Sequence, residues 1–130
     1  MQVRGVHEVA IRVRDLARSE QFYRNLLGLG LGLRDEERHL VFLRVGDQTA
    51  MIVLQEDKGD WSKQHFAFTV DEGEIEGAAA LLRERGVEVR GPVVHEWMPA
   101  KSLYFDDPDG HSLELCARLP DGQAPLNGTT

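Results

Sequence analysis

The chain is expected to fold as an α+β protein built from two tandem βαβββ modules, with curved mixed sheets around a cavity. Three observations carry this expectation. A histidine heads an apolar, partly β-branched run in each half: His7-Glu-Val-Ala-Ile-Arg-Val-Arg-Asp15 and His65-Phe-Ala-Phe-Thr-Val-Asp71. A helix-like stretch follows each run and stops at a glycine, Gly28 or Gly86, and both landmarks share one offset (65 − 7 = 58 and 86 − 28 = 58). Each half then closes with short apolar runs divided by turn sequences. A repeat this short needs its partner to bury its hydrophobic face, so the helices cover one face of each sheet. The other faces curve around a cavity lined by the histidine-bearing strands.

The elements follow in order. Residues 6–13 read as a strand ended by charge. Asp15 or Ser19 is placed to cap a helix running to Leu27, with Gly28 as its stop. The apolar positions Leu16, Phe22, Leu26 and Leu27 recur at helical spacing, with Tyr23 beside them. Strands are expected at 29–33, 39–45 and 50–55, the last two joined by a turn at Gly46-Asp47. Residues 57–63 link the modules. In the second module, a strand at 65–70 precedes a helix at 75–85, rich in alanine and leucine. Glu72, Glu74 and Glu76 supply a negative first turn that the helix dipole favours. A strand starts at 87–89 and is expected to break at Gly91-Pro92. Strands at 101–105 and 111–117 flank Asp107-Pro-Asp-Gly110, a tight-turn sequence in which proline fixes φ and glycine accepts a positive φ. One domain is thus expected over 1–118, with module one at about 5–56 and module two at about 64–117. Residues 119–130 form an aperiodic tail.

Composition limits the function classes. The 130 residues carry 42% hydrophobic and 28% charged side chains and a formal net charge of −7. That charge opposes a nucleic-acid surface and an anionic membrane. No apolar run approaches the roughly 18 residues of a membrane span, and Met1-Gln-Val-Arg does not read as a signal peptide. Cys116 is the single cysteine, so no internal disulfide forms and a reducing cytoplasm is the expected location. Cys116 itself reads as buried packing.

Two imidazoles and one carboxylate stand out as candidate ligands: His7, His65 and Glu114. Together they suit a divalent transition metal and leave coordination positions open for substrate. Alternation along the last strand puts Leu113 and Leu115 on one face, and Ser112, Glu114 and Cys116 on the other. A carboxylate between core leucines requires a partner or a solvated cavity. Tyr104 shares parity with Ser102 on a strand expected beside Glu114, and reads as a substrate contact or a rim residue. His95, Glu96 and Trp97 read as a substrate loop, with His95 as acid or base, or as an exposed loop. His39 and His111 flank turns and are expected in solvent. Asp107 and Asp109 read as turn formers.

The chain resembles the vicinal oxygen chelate superfamily, the glyoxalase, bleomycin resistance and extradiol dioxygenase family. The matching stretches are His7 to Leu16, Phe22-Tyr-Arg-Asn-Leu-Leu-Gly28, His65 to Val70, and above all Tyr104-Phe-Asp-Asp-Pro-Asp-Gly-His-Ser-Leu-Glu-Leu115. They span about residues 5–117. The resemblance implies the glyoxalase-like fold, metal ligands at His7, His65 and Glu114, and a substrate contact at Tyr104, which joins His95 as a catalytic candidate. It also implies a homodimer, with the ligands drawn from one chain or shared between two. Relatives with a fourth protein ligand take it from the last strand of the first module. Aligning 51–54 with 112–115 puts Val53 at the place of Glu114, and valine binds no metal. Gln55 and Glu56 lie close by but out of register. This departure disfavours a glyoxalase I or epimerase mechanism.

The leading expectation is a metal-dependent enzyme, dioxygenase or lyase/isomerase in type, acting on a small oxygen-chelating substrate. One divalent ion, Fe²⁺, Mn²⁺, Zn²⁺, Ni²⁺ or Co²⁺, would serve as Lewis acid or oxygen-activating centre. The alternative is a non-catalytic, drug-binding dimer of the bleomycin-resistance kind, which the acidic charge favours for a cationic drug. A fosfomycin-type thiol transferase ranks below both. Such enzymes resemble this chain in length and ligand set, but carry a threonine where Val9 stands, and phosphonate-binding basic residues are not evident here. Lys101 is the sole lysine after Lys63.

Overall fold

A computed structural model describes residues 1–47 and 50–120. The chain divides into two units, Met1–Ser62 and Lys63–Thr130, each with the order βαβββ. Most of the tail expected at 119–130 lies outside the described residues.

In the first unit, β1 (Glu8–Val13), β2 (Gly30–Asp35), β3 (Leu40–Arg44) and β4 (Met51–Glu56) form a sheet of order β1-β4-β3-β2. The outer strand β1 runs parallel to β4, and the other neighbours are antiparallel. Helix α1 (Leu16–Gln21) opens at Asp15, whose carboxylate accepts from the Arg18 amide at 3.0 Å. A cap of this kind contributes about 1 kcal/mol. The helix continues as a π turn over Phe22–Leu26, and the chain reverses at Gly28 with φ +74°. The π turn takes up an extra residue and rotates the side chains that follow. Tyr23 is therefore fully buried, as is Ser19 one turn before it, so neither flanks or caps the helix. The core joins Ile11 and Val13 of β1 to Ile52, Leu54, Val41 and Leu43, and α1 packs on β4 and β3. The opposite sheet face carries Glu8, Ala10, Phe42, Val53 and Gln55.

In the second unit, β5 (His65–Thr69), β6 (Val89–His95), β7 (Ala100–Asp106) and β8 (Ser112–Arg118) take the order β5-β8-β7-β6, with β5 parallel to β8. A 3₁₀ turn at Glu72–Glu74 leads into α2 (Ile75–Glu84). Ile75, Ala79 and Leu82 of α2 are buried, as are Leu103, Phe105, Leu113 and Leu115, and the helix packs on β6 and β7. Gly86, with φ +80°, ends it.

Two expectations are corrected in this unit. Strand β6 passes through Gly91-Pro92 instead of breaking there, with an irregularity in its pairing between Arg90 and Val93. β6 is an edge strand, where proline's missing N–H has no ladder partner to disappoint. Gly91 has φ +102°, and a Cβ there would approach the Ser102 carbonyl oxygen to 3.0 Å. His111 is fully buried, not solvated. Its Nδ1 accepts from the Gln64 amide at 2.9 Å, and Asp107 accepts from the amides of Asp109 and His111, each at 2.9 Å. The Asp107–Gly110 turn therefore ties β8 to the start of β5. No helix among the described residues is long and apolar enough to cross a membrane.

Candidate functional site

The open face of the second sheet gathers the polar side chains. Its rows follow from register: His65 pairs with Ser112, Ala67 with Glu114, Tyr104 with Glu114, Ser102 with Cys116 and His95 with Ala100. Because side chains alternate, His65, Ser112, Glu114, Cys116, Ser102, Tyr104 and His95 share one face while the leucines and phenylalanines turn to α2. His65, Glu114, Tyr104 and His95 are thus brought together from four strands.

Glu114 is 8% exposed. Its Oε2 accepts from the Ser102 hydroxyl at 2.6 Å, and its Oε1 lies 3.1 Å from His65 Nε2. His65 Nδ1 is 2.9 Å from the Ser112 carbonyl oxygen. A carbonyl only accepts, so Nδ1 carries the hydrogen, and in the neutral ring Nε2 presents a lone pair to the carboxylate. Two acceptors at that distance repel unless a cation, proton or metal, joins them.

The Tyr104 hydroxyl lies 2.8 Å from His95 Nε2, and the Tyr104 ring stacks beside His65 with centroids 6.3 Å apart. Burial, then the Glu114 charge, raises the Tyr104 phenol above its ordinary value of 10.0. The group therefore stays protonated, and able to donate a hydrogen bond, throughout the neutral range. In a Tyr23→Phe background Tyr104 is the only tyrosine. Its absorbance titration is expected above 10, and Glu114→Gln is expected to move it down by removing the negative neighbour. An unmoved titration would show that Glu114 does not act on the phenol.

His95 ends β6 and Glu96 and Trp97 begin the turn that follows. Trp97 is 65% exposed. Cys116 is half-buried on the polar face, not within the apolar core. Lys101 points the other way, paired with Glu76 of α2. Arg90 is held by Asp106 at 3.0 Å.

His7 precedes β1 in the first unit. Ala10 pairs with Val53 as Ala67 pairs with Glu114, so the residue two before each alanine is equivalent: Glu8, opposite Met51, matches His65, opposite Ser112. The expectation that His7 and His65 occupy matching places is corrected by this register. The constant offset of 58 fits the glycines, whereas the strands are related by 57 (65 − 8). Among the described residues, no three His, Cys, Asp or Glu side chains form a group that could hold a metal ion.

A family model described as the Glyoxalase/Bleomycin resistance protein/Dioxygenase superfamily matches residues 5–115. The chain belongs to this superfamily. Among superfamily relatives, the metallothiol transferase FosB of Staphylococcus epidermidis is 31% identical over 121 residues, 88% of this chain and 82% of the relative. The glutathione transferase FosA of Serratia marcescens is 32% identical over 124 residues, 87% and 80%. A solved structure, the integron cassette protein HFX_CASS4 from the mobile metagenome of the Halifax Harbour sewage outfall, is 49% identical. It has a TM-score of 0.85, with 88% of this chain and 99% of that chain covered.

Sequence reasoning missed two parts of this site. Ser102 and Ser112 fix Glu114 and His65 by hydrogen bonds that only cross-strand pairing reveals.

Proposed function

We propose that this chain is a metal-dependent enzyme, with His65 and Glu114 as ligands of one divalent ion. The reading rests on the 3.1 Å approach of His65 Nε2 to a Glu114 carboxylate whose other oxygen is already satisfied by Ser102. The donor set fits a metal. The imidazole tautomer is fixed by a backbone carbonyl, as is usual for metal-binding histidines, and its free lone pair and the carboxylate oxygen converge. When bound, the ion supplies Lewis-acid stabilisation of negative charge on a substrate oxygen. Tyr104 donates a hydrogen bond in the same substrate region, and His95, 2.8 Å from its hydroxyl, orients the phenol.

Similarity to metallothiol and glutathione transferases raises transfer of a thiol to a small oxygen-bearing electrophile above dioxygenation or lyase chemistry. Lys101, paired with Glu76, is not part of the proposed substrate site. The first test is metal content of protein purified without a histidine tag, followed by assays with fosfomycin and glutathione, cysteine or water, each with Mn²⁺, Zn²⁺, Ni²⁺, Co²⁺ or Fe²⁺. Turnover with a thiol that requires metal is expected. Protein that binds none of these ions would overturn the reading and leave drug trapping as the function to pursue. Metal-loaded protein that consumes oxygen with a catechol but transfers no thiol would replace transfer by oxygenation.

A further inference from the structure

The two histidines on the polar face of the second unit are held differently, and counting hydrogens assigns each a tautomer. His65 donates from Nδ1 to the Ser112 carbonyl oxygen, which leaves its Nε2 lone pair beside Glu114. His95 has one hydrogen-bond contact among the described residues, from Nε2 to the Tyr104 hydroxyl at 2.8 Å. Its ring stands at 90° to the phenol with centroids 6.3 Å apart, so the two meet through those atoms and not by stacking. The phenol has one hydrogen to give and an oxygen that accepts. Its hydroxyl also meets Glu114 and Ser102. A carboxylate only accepts, and an ionised acceptor holds a hydrogen more strongly than a neutral ring nitrogen does. The Ser102 hydrogen is already given to Glu114 Oε2 at 2.6 Å. Among these partners, His95 Nε2 is the group left with a hydrogen to offer the phenol oxygen.

We propose that His95 is a positioning residue with the opposite tautomer to His65: its Nε2–H donates to the Tyr104 oxygen and turns the phenol's hydrogen away from itself, toward Glu114 and the open face. The inference rests on the reading of Tyr104 as a donor to substrate given above. A phenol that donated to His95 would have no hydrogen left for a substrate oxygen. In the neutral ring the lone pair of His95 then lies on Nδ1, which has no hydrogen-bond partner among the described residues. His95 therefore takes no proton from Tyr104, and an orienting role replaces the acid or base role expected for it. His65 and His95 divide the work of the face: one presents a lone pair, the other a hydrogen.

The test is long-range ¹H–¹⁵N NMR on the full chain labelled with ¹⁵N-histidine, in chelator at about pH 8, above the ordinary histidine value of about 6.5. His95→Gln assigns the ring signals, and Tyr104→Phe removes the phenol oxygen. His95 is expected with its hydrogen on Nε2 and His65 with its hydrogen on Nδ1. The His95 Nε2–H signal is expected to exchange slowly with water in the parent and to be lost by exchange in Tyr104→Phe. A hydrogen on Nδ1 of His95 would overturn the assignment, as would an Nε2–H signal that Tyr104→Phe leaves unchanged. The second readout is the Raman doublet of the phenol in a Tyr23→Phe background, where Tyr104 is the only tyrosine. His95→Leu is expected to shift it from a phenol that donates and accepts to one that only donates. A doublet that does not shift, or shifts the other way, would also overturn the assignment. Both readouts are made without metal, so the two readings fail separately. A chain that binds no metal ion but shows these signals loses the metalloenzyme reading and keeps the His95 assignment. A metal-binding chain with the His95 hydrogen on Nδ1 does the reverse.

Discussion

Glu114→Ala is expected to release the metal ion while leaving the metal-free fold nearly as stable as the parent. The carboxylate is 8% exposed, between buried Leu113 and Leu115. Holding an ionised group there costs several kcal/mol before its partners repay it. On the proposed metal-binding reading its removal takes away one ligand, so metal affinity should fall by more than about a hundredfold. The fold loses little. His65 has a side chain 51% exposed and turns to water, and the Ser102 hydroxyl can rotate toward Tyr104. One buried hydroxyl weakened in this way costs about 1–3 kcal/mol at most, offset by the desolvation no longer paid. Metal analysis of the purified variant, together with urea unfolding in chelator, checks both parts. Full metal retention would remove Glu114 from the ligand set. A loss of more than about 4 kcal/mol in chelator would mean that the carboxylate is structural.

The largest effect on stability is expected from Phe105→Ala. Phe105 has no exposed surface, sits on β7 opposite Leu113, and lies on the face covered by α2 with Leu103, Leu115 and Ile75. Truncation removes the ring's transfer free energy and leaves a cavity that strands on both sides cannot close, which costs about 3–5 kcal/mol. Trp61 and Trp97 lie in different units, so urea unfolding followed by fluorescence in a Trp61→Phe background reports the second unit through Trp97. A change below about 1 kcal/mol would show that the α2-facing side is not the core of that unit.

Periodicity made most of the architecture legible. The β-branched runs, the glycine stops at Gly28 and Gly86 and the Asp107–Gly110 turn are local signals, and each half was readable as βαβββ because every such signal agrees with the sheet it serves. Parity alone placed Ser112, Glu114 and Cys116 on one face, and Tyr104 with Ser102. The alignment of Val53 with Glu114 holds in register as well. The superfamily was legible for the same reason, since its turn and final strand are short, local and specific.

Long-range pairing decided the rest. The π turn buries Tyr23, the edge location of β6 lets it run through Gly91-Pro92, and the contact with Gln64 buries His111. None of these follows from neighbours in the chain, because each depends on a partner dozens of residues away or on a change of helical phase. Glu8 is the sharpest case. The sequence by itself determined that a metal-capable side chain heads the first strand, and that Glu114 stands on a polar face of the last. Only the pairing of β1 with β4 determined which of two adjacent residues, His7 or Glu8, stands on the open face. A strand's side chains alternate with period two, so a shift of one residue exchanges the faces, and hydrogen bonds to another strand are what fix that shift.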